Sequence, residues 1–186
     1  MICVSFFVVP LRAGVFVFLA GLIFFPILGR ASDQSSISAQ DVNGHAVALN
    51  GSGHCTVVMY TNPDLEDASR KVTRALDSYR SRSDFALVRV VDLRGGVPPA
   101  MRSIVQMQIR KEQAKESMRL KKEGVSAGDQ APIIPDFNGS VLDALGWDSI
   151  YDQVHLVVYD RHGHEIKRLE NVNDPKQVTR VVESIL

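Results

Sequence analysis

The chain has 186 residues, with 21 Lys+Arg against 21 Asp+Glu, 45% hydrophobic residues and two cysteines. That length suits one domain of ordinary size with an appendage, and the charged and apolar shares exclude a disordered chain, a collagen-like repeat and a disulfide-dense mini-protein. A formal charge of zero removes any global case for nucleic acid as a partner, because no surplus of cations displaces phosphate counterions.

The apolar residues gather at the N-terminus. Between Met1 and Gly29 the only charge is Arg12, and Ala13 to Gly29 carries none. Arg12 in front, this run, and the small residues Gly29 and Ala31 around Arg30 predict a secretory signal cleaved after Ala31. A retained anchor is the alternative. A spanning helix needs about 20 apolar residues, which this segment reaches only by crossing Arg12, and Pro26 suits a cleavage region better than a helix core. Both readings predict export to a periplasmic or extracellular compartment, with membrane contact only if the leader stays. Without residues 1–31 the remaining 155 residues carry 19 basic and 21 acidic side chains and one thiol, Cys55. A single thiol cannot form an internal disulfide, so packing alone must hold the domain.

Residues 32–38 are Ser-rich and predict a linker, with the folded domain over 39–186. Asn43-Gly44 predicts a hairpin turn between short strands. Cys55 to Tyr60 is a continuous β-rich run of buried-strand type, and Thr61-Asn62-Pro63-Asp64 supplies the cap and first residues of a helix. In that helix Leu65, Ala68, Val72, Ala75, Leu76 and Tyr79 recur at spacings of three and four. Phe85 to Asp92 reads as a second buried strand. Gly95-Gly96 and Pro98-Pro99 break the chain before a long helix from Ala100 to Glu123. Residues 132–136 are extended, Asn138-Gly139 is a turn, and Val141 to Leu145 is a short helix closed by Gly146. Val154 to Tyr159 predicts a third buried strand, and Arg161 to His164 turns into Glu165–Leu169. Asp174-Pro175 caps a last helix with Val178, Val181, Val182 and Ile185 on one face. Buried strands separated by helices predict an α/β fold, a mixed sheet covered on both faces.

Three segments in this order carry a family resemblance. Asp41-Val42-Asn43-Gly44-His45-Ala46-Val47-Ala48-Leu49 is an opening hairpin. Asp136-Phe137-Asn138-Gly139-Ser140-Val141-Leu142-Asp143-Ala144-Leu145-Gly146 comes later, and Leu156 to Ile166 is the strand and turn that follow. Together they resemble the thioredoxin-like superfamily, in particular its redoxin or peroxiredoxin-related (AhpC/TSA-like) branch, over residues 37–186. The resemblance implies a thioredoxin-like mixed sheet with an N-terminal hairpin, and the helix from Ala100 to Glu123 is longer than that branch carries there. In redox members the strand before the first helix delivers Cys-x-x-Cys at the helix N-terminus, where the dipole lowers the thiol pKa. Here Asp64-Leu65-Glu66-Asp67 occupies that place, with Asp64 and Asp67 at the two cysteine positions. A peroxidatic cysteine is missing from the same turn, and Val154 stands where a cis-proline precedes the third strand. The resemblance therefore implies a fold kept and thiol–disulfide exchange lost: a non-catalytic binding or scaffold module with no cofactor.

Four groups remain as candidates for chemistry. Cys55, beside His54, could be the thiolate of a one-cysteine redox protein or peroxidase, although it reads equally as a small buried hydrophobe, and strand neighbours point to opposite faces. His162 and His164 could clip a metal, but zinc wants further ligands, and His155 lies about 23 Å away along an extended chain; a solvated turn is the plainer reading. Asp64, Glu66 and Asp67 could hold a hard cation or complement the helix dipole. The helix from Ala100 to Glu123 carries Met101, Ile104, Val105 and Ile109 on a face expected to be buried. From Arg110 onward it holds six Lys/Arg against three Glu, a solvated end or a docking arm for an acidic protein partner or anionic lipid.

Overall fold

The computed structural model describes residues 36–51, 53–125, 131–148, 153–172 and 174–186. The predicted leader and most of the predicted linker lie outside the described residues. Among the described residues no helix is long and apolar enough to cross a membrane.

The chain enters as a two-stranded antiparallel ribbon, Ser38–Gln40 (β1) and Ala46–Ala48 (β2). Asp41 builds its turn: Oδ1 accepts from the amides of Asn43 and His45, each at 2.8 Å. Gly44, at φ 85°, supplies the left-handed residue that side chains with a Cβ resist. Cys55–Thr61 (β3) follows, buried at every position, then a 3-10 turn at Pro63–Leu65 and the helix Glu66–Ala75 (α1). Asn62 is the cap read from the sequence, its side chain accepting from the Leu65 amide at 3.0 Å.

Phe85–Asp92 (β4) leads through a 3-10 turn at Pro99–Met101 to the helix Arg102–Lys122 (α2). Ile133–Asp136 (β5), Ser140–Ala144 (α3), His155–Tyr159 (β6), Glu165–Leu169 (β7) and Lys176–Ile185 (α4) complete the chain. The main sheet has the order β5-β4-β3-β6-β7. Strands β3, β4 and β5 run parallel, as helical crossovers require, while β6 runs antiparallel to β3, and β7 antiparallel to β6.

Side-chain alternation along the central strands makes two cores. Tyr60, Val90, Ile134 and Tyr159 face α3 and Trp147, with the ribbon's Ala39 and Val47 packed alongside. Val57, Met59, Leu87 and Leu156 face α1 and α4, through Val72, Leu76, Val178 and Val182. Each fully buried side chain of this kind contributes about 1.5–3 kcal/mol.

One expectation fails on α2. Met101 and Ile104 are 45% and 44% exposed rather than buried. The positions that are not exposed are Val105, Gln106, Ile109, Gln113, Glu116, Arg119 and Leu120, so the apolar residues before Val105 fall off the contact side. Four of these seven residues are polar, and long polar side chains hold the helix. Arg110 Nε donates to the Val42 carbonyl at 2.9 Å and Gln113 Nε2 to the Ala131 carbonyl at 3.5 Å. Part of the charged second half is tied to the domain: Arg80, 4% exposed, bonds Glu116 at 2.9 Å, and Arg119 bonds Asp77 at 2.8 Å. Within the helix Glu112 pairs with Lys115 and Glu116 with Arg119, at 2.6 and 2.9 Å.

Candidate functional site

Strand β3 has two chemically distinct ends. At its C-terminal end, Asn62 caps the 3-10 turn that leads into α1; Asp64 stands exposed in that turn, and Glu66 and Asp67 in the first turn of α1. Glu66 pairs with Arg70 one turn on, which a helix surface permits. Acids there complement the partial positive charge of the helix end.

Cys55 opens β3 at the other end, six residues or about 20 Å of strand away. Its side chain is fully buried, and its amide donates to the Asp84 carbonyl at 2.8 Å. The neighbouring guanidiniums do not attend the sulfur: Arg82 and Arg161 bond the Asp84 carboxylate at 2.9 and 2.7 Å. Burial, aided by the Asp84 charge, pushes the thiol up to about 11. At neutral pH that leaves on the order of one molecule in ten thousand as thiolate.

The His162 and His164 rings are exposed, with centroids 6.0 Å apart. Their backbone amides donate to Asp160 Oδ1 at 2.8 and 2.9 Å, an Asx-type turn. Gly163 between them is buried, and a Cβ there would meet the Asn50 carbonyl oxygen at 2.5 Å. The tight His-Gly-His spacing thus has a packing cause. Among the described residues no group of three or more His, Cys, Asp or Glu is placed to hold a metal ion. His155 lies apart in β6, edge-on to Trp147 at 5.4 Å, and burial lowers its pKa.

Asp136 is the buried polar centre that the sequence reading used only as part of a motif. It is 2% exposed and accepts from the Tyr60 hydroxyl at 2.9 Å and from the amides of Gly139, Val141 and Leu142 at 2.9–3.1 Å. These are otherwise orphan donors of α3, so the carboxylate fixes that helix to β3. Burial and the Asp136 charge raise the Tyr60 pKa, so this is a structural lock rather than a proton donor.

A cleft of about 700 Å³ opens between α1 and α2. Met59, Arg89, Val91 and Ile133 form its floor, α2 presents Ile104, Val105 and Ile109, and α1 presents Glu66, Arg70 and Arg74. Volumes of this order hold small ligands. Arg70, Lys115 and Arg119 each have a carboxylate partner. Arg89 has none among the described residues, and its Nε is sealed from solvent with no hydrogen-bond partner. Burial and the nearby Arg80 charge bring its pKa down to about 10. A single charge inside the apolar run Phe85 to Asp92 was the sequence signal for this cleft.

No family model and no curated protein matches the chain. Solved structures do. A thioredoxin-like protein from Aeropyrum pernix aligns with a TM-score of 0.55 at 15% identity, covering 81% of this chain and 89% of that one. The exposed lipoprotein thioredoxin Etrx1 of Streptococcus pneumoniae gives 0.54 at 13% identity, covering 81% and 99%. DsbF of Mycobacterium tuberculosis, solved in mixed oxidized and reduced forms, gives 0.53 at 16% identity, covering 81% and 96%. At these identities the likeness speaks to architecture, and with the sheet order above it establishes that this chain has the thioredoxin-like fold.

Proposed function

We propose that this protein is an exported thioredoxin-fold binding module without dithiol chemistry, of the redoxin or peroxiredoxin-related branch. The observation that carries the reading is the separation of thiol from helix N-terminus. Asp64, in the 3-10 turn, and Asp67, in the first turn of α1, stand past the C-terminal end of β3, while Cys55 is sealed at its opposite end. The apolar segment preceding residue 30 supports export. Binding is supported on α2 and the cleft beneath it, where Ile104 and Met107 are exposed on the helix and Arg89 stands unpaired on the floor.

The competing reading is a one-cysteine redox protein or peroxidase working through Cys55. A buried thiol pushed up to about 11 opposes it, because the nucleophile is the thiolate. Insulin disulfide reduction and peroxide consumption by the purified chain separate the two. The binding-module reading expects no turnover above buffer and no effect of Cys55→Ser. Turnover at the level of an ordinary thioredoxin, abolished by Cys55→Ser, establishes the redox reading instead.

A further inference from the structure

The cleft between α1 and α2 is polarised along its length. Arg102 stacks over the Phe137 ring at 5.0 Å, just past the C-terminal end of β5, whereas Gln113 reaches the Ala131 carbonyl before its N-terminal end. Helix α2 therefore runs antiparallel to β4 and β5. Arg89, Val91 and Leu93 follow one another along the floor, so the cleft has a guanidinium at the end below Gln113 and Glu116 and apolar walls toward Ile104 and Val105.

Arg89 Nε has no hydrogen-bond partner, and the nearby Glu116 carboxylate is already bonded to Arg80 and Arg119, so the cost of desolvating the guanidinium is only partly offset. Its planar fork matches a carboxylate in two parallel hydrogen bonds. Arg89 at one end and the apolar row of Val91, Leu93, Ile104 and Val105 beyond it match a head and a tail, with Glu66, Arg70 and Arg74 of α1 along the other wall.

We propose that this cleft binds an amphipathic carboxylate of fatty-acid type, the head on Arg89 and the chain lying between Val91, Leu93, Ile104 and Val105. The proposal rests on the reading of the chain as a binding module and names the ligand class of that module. The head supplies the directly bonded carboxylate that Arg89 lacks, and the tail covers floor and wall residues that α2 stands away from.

Titration calorimetry of the full chain with monomeric dodecanoate, with dodecanol and with inorganic phosphate tests it. Saturable binding of one dodecanoate is expected, at least about tenfold tighter than dodecanol, as a charge-assisted bond implies. Arg89→Met should weaken dodecanoate by about tenfold or more while leaving dodecanol within about threefold. Val105→Trp, on a partly exposed helix face, fills the apolar end and should weaken both ligands, which keeps the test open if Arg89→Met does not fold. Equal affinity for dodecanoate and dodecanol, unchanged affinity in Arg89→Met, displacement of dodecanoate by inorganic phosphate, or no binding at all would overturn it. Disulfide turnover measured on the same samples reports on the binding-module reading separately: absent turnover with absent binding removes the ligand class alone.

Discussion

Helices α4 and α2 lie on the same face of the sheet and are held there by different chemistry. On α4, Val178 and Val182 are fully buried with Val181 and Ile185 packed beside them, a stripe at the helical period that brings the backbone close to the strands. On α2 the inward row is mixed in kind: Val105, Gln106 and Ile109, then Gln113, Glu116 and Arg119, then Leu120. Arg80 and Arg110 span the distance that short apolar side chains would have closed. Apolar teeth seat a helix at contact distance, whereas ion pairs and long side chains set it at arm's length. The cleft is the space left by that second mode of attachment.

Arg80→Ala strikes the clamp on α2 directly. It leaves Asp77 and Glu116 with Arg119 as their remaining partner, so the loss of the hydrogen-bonded pair should cost about 1.5–3 kcal/mol in urea unfolding. Hydrogen exchange should accelerate more in α2 than in α4. The apolar attachment is tested by a matched pair. Val182→Ala on α4 should cost about 1–2 kcal/mol, because it opens a cavity in a closed core, while Ile104→Ala on α2 should stay within about 0.5 kcal/mol. Equal losses would mean that the two helices are seated alike.

The clamp should also respond to acid. The Arg119 guanidinium, with Arg80, holds the Glu116 carboxyl down at about 2, below its ordinary 4.5. A depressed carboxylate stabilises the folded state fully above its unfolded pKa and loses that contribution as pH falls through the folded one. Wild-type stability should therefore fall between about pH 4.5 and 2 by about 1–2 kcal/mol more than that of Glu116→Gln. Parallel acid profiles for the two would take Glu116 out of the clamp.

These contrasts also mark what the sequence could and could not reveal. Strands β3, β4 and β6 were legible as unbroken apolar runs, and α1 and α4 as periodic stripes, because burial on a sheet or a helix face imposes those periods. The caps at Asn62 and Gly146 were legible because they are local: Gly146 takes φ 69° and its amide donates to the Asp143 carbonyl at 2.9 Å. Asp136 was hidden in its role because its hydroxyl donor, Tyr60, lies 76 residues away. The seating of α2 was misread for a related reason. Periodicity finds an apolar stripe but not whether that stripe meets the sheet, and the Arg80–Glu116 bond that decides it spans 36 residues. The candidate site was half legible: the absence of a dithiol from the first turn of α1 is written in the chain, while the cleft needs Arg89 and α2 brought together by the fold.

The most direct test of the account is the alkylation rate of Cys55 itself, followed by peptide mass mapping so that Cys3 is counted separately. With iodoacetamide at neutral pH, Cys55 in the native chain should react at least about a hundredfold more slowly than in urea, as expected for a sealed thiol that remains protonated. A native rate equal to or above the unfolded rate would contradict it and return Cys55 to the centre of the protein's chemistry.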